Sequence, residues 1–186
     1  MKTLMKERWL NPRTWLVLAM IAIAAATRVL PHPWNFAPVG AMALFGGAAF
    51  ASRRAALFFP MLALFAGDLF IGFHRLMPVV YASFMASVAI GFWLRERRSV
   101  PRIGAATLAG AVQFFLVTNF GVWASGMTYP KTWLGLVDCY IAGVPFFWNT
   151  LAGDAAYATL LFGGLALAER RFPVFKEAEA AAQTVR

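Results

Sequence analysis

WLGLVDCYIAGVPFFWNTLAGDAAYATLLFGGLALA, residues 133–168, is the stretch that decides the fold of this chain. It stays apolar for 36 residues, and as a single helix it would be about 54 Å long. The hydrocarbon core of a bilayer is only about 30 Å thick, so we expect the helix to be interrupted. Pro145 is the predicted break, because proline lacks an amide donor and clashes with the preceding turn. The stretch therefore predicts a half-helix or re-entrant segment at 134–144 and a last span at about 147–168.

Five further apolar segments precede this stretch, at about residues 14–30, 38–51, 55–73, 78–94 and 103–124. The chain is 61% hydrophobic and only 13% charged, which is far too apolar for a soluble domain of this size. The predicted fold class is an all-α membrane protein with six transmembrane helices and a proline-broken segment before the last. Residues 1–175 would form a single domain, and residues 176–186 a cytoplasmic C-terminal tail.

The basic residues predict the orientation of these spans. Of the 17 Lys and Arg residues, 14 lie in four clusters: Lys2, Lys6, Arg8 and Arg13; Arg53 and Arg54; Arg95, Arg97, Arg98 and Arg102; and Arg170, Arg171, Lys176 and Arg186. Six crossings place all four clusters on one side, which the positive-inside rule assigns to the cytoplasm. We therefore expect a bacterial inner-membrane protein with both termini in the cytoplasm. The net charge of +9 is explained by topology, so no nucleic-acid partner is expected.

Polar side chains in or beside the apolar segments gather toward the opposite side. Charge inside a membrane segment is costly and normally marks a ligand or ion site. The candidate substrate-binding residues are Arg28, His32, Asn35, Asp68, His74, Tyr81, Asn119, Trp123, Asp138, Tyr140 and Asn149. Many aromatic residues lie near them, so the predicted site is a pocket with apolar walls and a few convergent polar groups. Arg28 with Asp68 or Asp138 could equally be a buried ion pair that holds helices together.

Few residues are available for other chemistry. A single cysteine, Cys139, and two histidines exclude a disulfide framework and an all-histidine metal site, so we expect no intrinsic cofactor and no metal. Cys139 is expected to be a small buried hydrophobe. Asp154 lies near mid-membrane, where it could relay protons or make a hydrogen bond between helices. The sequence contains no GxxxxGK[ST] loop, so any ATP hydrolysis must belong to partner subunits.

Ala22 and Ala26 lie one helical turn apart on the first span, within a run rich in alanine. Small residues at this spacing let another membrane helix approach closely. Two interpretations remain open at this point: ordinary packing inside the bundle, or a docking face for a separate membrane subunit.

Several motifs together resemble a known family. They are RVLPHPWNFAPVGA at residues 28–41, ALFGG at 43–47, Asp68-Leu69 with Gly72-Phe73-His74, TNFGVW at 118–123, Gly135-Leu136 with Cys139-Tyr140, and PFFWNT at 145–150. The chain resembles a family of small bacterial inner-membrane transport proteins. That family is similar to the substrate-binding S-components of energy-coupling-factor vitamin transporters, which include the BtuM-type cobalamin S-components. The likeness covers about residues 28–154.

The resemblance implies six helices, an outward-facing site, and docking to a transmembrane coupling subunit through Ala22 and Ala26. It also implies cobalamin or another corrinoid as the ligand. Some cobalamin-type members carry a cysteine near the start of the fourth helix to meet cobalt. Val80 and Tyr81 stand there in this chain, so thiolate ligation at that position is absent.

The expected function is therefore that of a substrate-binding membrane component of a vitamin uptake transporter, not an enzyme. Its expected partners are a small-molecule vitamin, the lipid bilayer, and a coupling subunit with ATPase subunits. The alternative is an intramembrane enzyme such as a protease or lipid hydrolase. Ser125-Gly126 is the faint match to a nucleophile motif, and it lacks the first glycine of G-x-S-x-G.

Overall fold

The computed structural model describes residues 11–176, and within that range the protein is all-helical. The helices are α1 Pro12–Thr27, α2 Val39–Ala49, α3 Arg53–Ile71, α4 Met77–Trp93, α5 Val100–Ser125 and α6 Trp133–Arg171, followed by a 3₁₀ turn at Pro173–Phe175. By length and composition, α3, α5 and α6 can each cross a membrane, whereas α1, α2 and α4 are shorter apolar helices. The chain is thus a helical membrane protein. Residues 177–186 of the predicted tail, and Lys2, Lys6 and Arg8, lie outside the described residues.

The predicted break at Pro145 is wrong. α6 runs without interruption over 39 residues, with Pro145 inside it. A proline removes one backbone hydrogen bond, and membrane helices tolerate this loss where neighbouring helices support the chain. α3 shows the same behaviour, because it continues through Pro60, whose buried ring packs against Gly46 of α2. At 1.5 Å per residue α6 is about 58 Å long, which is roughly twice the hydrocarbon thickness.

α2 forms the centre of the bundle. Residues 40–49 are all buried, and they are mostly small. A Cβ atom at Gly47 would collide with the carbonyl oxygen of Val88 on α4, and one at Gly91 with the carbonyl oxygen of Leu44 on α2. The backbones of α2 and α4 are therefore in direct contact, which only glycine allows at these two positions.

Both ends of α2 are held by charged side chains from other helices. Pro38 precedes α2 and supplies no side-chain cap, but Asp154 Oδ1 of α6 accepts a hydrogen bond from the Ala41 amide at 2.9 Å. At the other end, Arg13 donates to the Ala49 carbonyl oxygen at 2.6 Å and Arg95 to that of Gly47 at 2.8 Å. Buried helix ends need such partners, and the two arginines at the C-terminal end also match the helix dipole.

The arginines that hold the end of α2 belong to a larger charged cluster. Glu169 Oε1 lies 3.1 Å from Arg13 Nε and 3.5 Å from Arg98 Nη1, so the start of α1, the α4–α5 turn and the end of α6 meet. Arg53 and Arg95 both lie over the Phe92 ring, and Arg102 donates to the Trp93 carbonyl oxygen. All four predicted basic clusters, as far as they are described, share this end. It is called the basic end below, and the end with the α1–α2, α3–α4 and α5–α6 loops is called the loop end.

The α2–α4 contact gives a first prediction. Gly47→Ala should lower the unfolding temperature of the detergent-purified protein, because overpacking typically costs about 1–3 kcal/mol and here the clash is with backbone. Gly104→Ala is the matched control, since a Cβ there meets nothing within 4 Å and alanine favours a helix over glycine by up to about 1 kcal/mol. Equal unfolding temperatures for the two variants would contradict the direct backbone contact.

Candidate functional site

Arg28, Asp68 and Tyr81 form a hydrogen-bonded network at the loop end. Arg28 caps the C-terminus of α1, and its Nη2 lies 2.8 Å from Asp68 Oδ1 of α3. The other oxygen of Asp68 accepts a hydrogen bond from the Tyr81 hydroxyl of α4 at 2.7 Å. Arg28 Nη1 also donates to the Leu64 carbonyl oxygen at 3.0 Å. Gly67 leaves room for the guanidinium group, because a Cβ there would lie 2.7 Å from Nη1.

This network joins three helices and uses both carboxylate oxygens of Asp68, whose exposed fraction is only 7%. A buried carboxylate needs such complete compensation, because an unpaired charge in a dry interior is strongly destabilising. The sequence left open whether Arg28 pairs with Asp68 or with Asp138, and the partner is Asp68. Asp138 lies on an exposed part of the first turns of α6.

The α1–α2 segment folds against α6. Asn149 donates to the Trp34 carbonyl oxygen at 2.9 Å, and Gly153 packs so closely that a Cβ there would lie 3.0 Å from the Ala37 nitrogen. The ring of His32 lies against its own segment, with Nδ1 3.0 Å from the Pro33 carbonyl oxygen. Asn35 has φ of 61° and is the one non-glycine residue with positive φ within residues 11–176. Asparagine tolerates this left-handed conformation better than most residues.

Asn35 stands where two cavities adjoin. One cavity of about 400 Å³ is lined by the α1–α2 segment and by residues of α2 to α6, and Arg28, His32, Gly40 and Asp154 are among them. The other cavity, of about 360 Å³, lies between α5 and α6. Both cavities are lined by Asn35, Phe114 and Thr150. Together they form one site, called the loop-end cleft below.

The α5 side of the cleft is fixed by hydrogen bonds to the α5 backbone. Asn119 donates to the Phe115 carbonyl oxygen at 2.8 Å, and the thiol of Cys139 donates to the Asn119 carbonyl oxygen at 3.3 Å. Tyr140 donates to the Leu116 carbonyl oxygen at 2.7 Å. Gly143 allows the close approach of the two helices, because a Cβ there would lie 2.5 Å from Asn119 Oδ1. The Asn119 amide is thus held at the wall of the cleft.

The structure brings together only part of the predicted site. Arg28, His32, Asn35 and Asn119 line the cleft. The predicted residues outside its lining are Asp68, His74, Tyr81, Trp123, Asp138, Tyr140 and Asn149. Asp68 and Tyr81 orient Arg28, Asn149 and Tyr140 fix the backbone around the cleft, and Trp123 donates to the Pro130 carbonyl oxygen at 3.1 Å to pin the α5–α6 loop. His74 lies exposed in the α3–α4 loop.

Other lining residues were not among the predicted ligand contacts. They are Phe114, Thr118, Thr128, Cys139, Gly143, Thr150 and Asp154, among others. Those of α6 follow helical spacing from Cys139 through Gly143 and Phe146 to Thr150, which places them on one face. Had the helix been predicted to continue through Pro145, the spacing of these residues would have indicated that they share one face. Asp154 has an exposed fraction of 2% and serves as the hydrogen-bond acceptor between helices that was one of its two expected roles.

Three further expectations, on Ser125, on metal binding and on the two alanines of α1, can be compared with the structure. Ser125 donates to the Val122 carbonyl oxygen of its own helix at 2.6 Å. No group of three His, Cys, Asp or Glu residues that could hold a metal ion occurs within residues 11–176. Ala22 and Ala26 are exposed on α1, whereas Val17, Ile21 and Ala24 of the same helix face the core. Packing inside the bundle therefore does not use the two alanines.

The Arg28–Asp68 pair yields a second prediction. Asp68→Leu should destabilise the purified protein by about 3–5 kcal/mol, because it leaves the Arg28 charge without its carboxylate. The double variant Arg28→Met with Asp68→Leu should recover most of that loss, as replacement of both partners by apolar groups often does. The free energy of unfolding in detergent is measured for the unaltered protein, for Asp68→Leu and Arg28→Met singly, and for the double variant, which together form a double-mutant cycle. Additive losses would show that the two residues do not act as a pair.

Comparison with known proteins places the chain in a family without identifying an activity. No curated protein and no solved structure matches it. A family model matches residues 8–176, a range that includes all six helices and every residue of the cleft. The chain belongs to DUF6580, a family of unknown function.

Proposed function

We propose that this protein is the substrate-binding membrane component of a vitamin uptake transporter, of the energy-coupling-factor S-component type, with cobalamin or another corrinoid as its ligand. The observation that carries the proposal is the loop-end cleft, in which two cavities of about 360 and 400 Å³ adjoin at Asn35. Ligand sites in proteins are concave, mostly apolar, and supplied with a few placed polar groups. The cleft has this composition.

The orientation of the cleft suits uptake. In our proposal all six helices cross the inner membrane, and the positive-inside rule places the basic end in the cytoplasm. Both termini are then cytoplasmic, and the cleft opens to the outside, where the ligand arrives. α2 has only 11 residues and spans about 16 Å. It can complete a crossing because the preceding segment enters the bundle, where Asn149 and Gly153 hold it against α6.

The chemistry of the cleft suits a large neutral ligand rich in amides. Asn35 offers an amide group, and Asn119 and Thr150, each of which donates to a carbonyl oxygen of its own helix, keep side-chain oxygens that can accept hydrogen bonds. Phe114, Phe146 and Phe147 supply apolar walls. The peripheral amide groups of a corrinoid would pair with the first set, and its ring would pack on the second. A corrinoid exceeds either cavity alone, so in this proposal it spans both and passes Asn35. Cobalt ligation by the chain is not part of the proposal.

Delivery across the membrane requires partner subunits. The exposed Ala22 and Ala26 on α1 form a small-residue face on which a helix of a transmembrane coupling subunit would pack closely. Ala19 lies on the same face and is also exposed. ATPase subunits bound to the coupling subunit would supply the energy, in keeping with the lack of a phosphate-binding loop in this sequence.

Asn35→Gly tests the ligand site. Glycine adopts positive φ freely, so the segment keeps its backbone while the amide is lost. We expect cobalamin affinity of the detergent-purified protein to fall about tenfold, which is the loss of one hydrogen bond of roughly 1.4 kcal/mol. Binding is measured by equilibrium dialysis of cyanocobalamin, with cobinamide as a second corrinoid.

His74→Ala is the control for this experiment, because His74 is exposed at the same end but does not line the cleft. It should bind as the unaltered protein does. Absence of corrinoid binding by the unaltered protein would refute the proposed ligand, and equal affinities for Asn35→Gly and the unaltered protein would remove the cleft from the binding site.

Ala22→Trp tests the docking face. The residue is exposed, so the variant should fold and bind corrinoid normally, whereas corrinoid-dependent growth of a host lacking other uptake routes should fail because the coupling subunit is held off. Ala86→Trp, at an exposed position on α4, is the matched control and should support growth. Normal growth with Ala22→Trp would exclude this face from docking.

A further inference from the structure

The two cavities of the loop-end cleft differ in charge. Arg28 and Asp154 both line the cavity of about 400 Å³, together with apolar residues such as Leu64 and Phe114. Among the described residues that line the cavity of about 360 Å³, none is charged. The first cavity is called the Arg28–Asp154 cavity below. Its two charged groups suggest that it recognises a particular chemical group of the ligand.

Arg28 keeps hydrogen-bond donors that the three-helix network does not use. Its Nη1 donates to the Leu64 carbonyl oxygen and its Nη2 to Asp68 Oδ1. A guanidinium group carries more N–H groups than these two bonds require. The side chain is 12% exposed, so it is not sealed by the surrounding helices. Arg28 can therefore donate to a ligand oxygen without releasing Asp68.

Asp154 supplies acceptors to the same cavity. Its Oδ1 accepts a hydrogen bond from the Ala41 amide at 2.9 Å, and its Oδ2 lies against Gly40, where a Cβ atom would overlap with it. Within residues 11–176 Asp154 forms no ion pair. A carboxyl group can accept several hydrogen bonds. Acceptor capacity is thus left for a donor that enters the cavity.

His32 is the third ionisable residue that lines this cavity. Its Nδ1 lies 3.0 Å from the Pro33 carbonyl oxygen and its Nε2 3.3 Å from the Arg28 carbonyl oxygen. Both ring nitrogens therefore face the backbone of their own segment. Donors and acceptors for a ligand come from Arg28 and Asp154 instead.

The balance of charge disfavours an ionic ligand group of either sign. Arg28 is already paired with Asp68, so an anionic group at Arg28 would compete with that carboxylate and would share the cavity with Asp154. A cationic group at Asp154 would share the cavity with the guanidinium group of Arg28. Burying a charge without its own counter-ion is costly. A primary amide carries no charge, and it has an oxygen for Arg28 and an NH₂ group for Asp154.

We propose that Arg28 and Asp154 select primary amide side arms of the ligand over the corresponding carboxylates. Arg28 donates to the oxygen of an amide arm, and Asp154 accepts from an amide nitrogen. The inference rests on the proposed function, because it takes a corrinoid, whose ring bears acetamide and propionamide arms, as the ligand. It adds that the protein distinguishes the fully amidated form of that ligand from its acids.

The test compares cyanocobalamin with the monocarboxylic acids that are obtained from it by hydrolysis of single amide arms. The affinity of each compound for the detergent-purified full chain is measured by equilibrium dialysis at neutral pH. We expect at least one of the acids to bind about tenfold more weakly, because its carboxylate loses a hydrogen bond to Asp154. Equal affinities for cyanocobalamin and all of its monocarboxylic acids would overturn the proposal.

Asp154→Asn assigns this preference to a residue. Asparagine keeps an oxygen for the Ala41 amide and places an NH₂ donor where Oδ2 was. The preference for amide over acid should therefore fall to less than about twofold, since the new donor can pair with a carboxylate. A role of Asp154 in packing alone would weaken all the ligands together, and an unchanged ratio of their affinities would contradict the proposal.

Two further variants complete the comparison. Asp138→Asn makes the same chemical change at an exposed position of α6 and should leave the ratio of affinities unaltered. Arg28→Lys gives a second result should Asp154→Asn fail to fold. Its ammonium group can pair with Asp68 but lacks the forked donors of a guanidinium group, so the preference should fall here too.

Failure of this inference can be told apart from failure of the proposed function. Absence of binding of every corrinoid by the unaltered protein would refute the proposed function, and this inference with it. Binding of cyanocobalamin without discrimination against any of its acids would refute the role of Arg28 and Asp154 alone and leave the proposed function standing.

Discussion

The burial of α2 constrains the rest of the structure. Residues 40–49 of this 11-residue helix are all buried, so its orphan amides and carbonyls depend on partners from other parts of the protein. Asp154 meets the amides at one end, and Arg13 and Arg95 meet the carbonyls at the other. These three side chains come from α6, α1 and the turn after α4. The hydrogen bonds at the ends of this one short helix thus fix the positions of α6, α1 and the C-terminal end of α4.

The position of α6 follows from the need for a hydrogen-bond partner at the start of α2. Asp154 can reach the Ala41 amide only if α6 lies against α2, and Gly153 next to it allows the α1–α2 segment to pack on α6 backbone. α6 touches α5 at its start and α1 and α2 further along, so it crosses the bundle obliquely. The loop-end cleft lies between α5 and α6 toward one end, and a groove lined by Ile103, Gly104, Phe162 and Gly163 lies between them toward the other. Both concave features therefore have the same origin.

Composition and charge were sufficient to predict much of the fold. Apolar runs located the first five helices to within a few residues, and the described members of the basic clusters lie at one end as predicted, because hydrophobicity and cationic charge are local properties of sequence. Whether Pro145 breaks the helix could not be predicted from such local properties. Whether a proline interrupts a helix depends on what packs beside it, and the contacts of α6 with α5, α1 and α2 are long-range. Treating the helix as broken also hid the face that runs from Cys139 to Thr150.

The candidate site, too, could be predicted only where local properties of the sequence were sufficient. Arg28 and Asp68 could be predicted to matter because buried charge demands compensation, but their pairing made Asp68 a positioning residue for Arg28 and kept it out of the cleft. His74 and Asp138 are also ionisable residues near helix ends, yet both are exposed. A polar residue in such a position can face water as easily as a pocket. The partner of Asp154 could not be predicted from the sequence, because it is a backbone amide 113 residues away.

The charges around the cleft bear on what it can hold. Arg28 is paired with Asp68, and the Asp154 carboxyl group accepts a hydrogen bond from the Ala41 amide, so both side chains have partners within hydrogen-bond distance. What remains toward the cleft, besides the unused hydrogen-bonding capacity of these two groups, is the His32 imidazole with a set of amides, hydroxyl groups and aromatic rings. Such a surface offers no net charge to an ion, and its dipoles can be matched only by a ligand that carries complementary neutral polar groups. The proposed ligand, a neutral molecule that carries amide groups, matches this lining better than a small ion would.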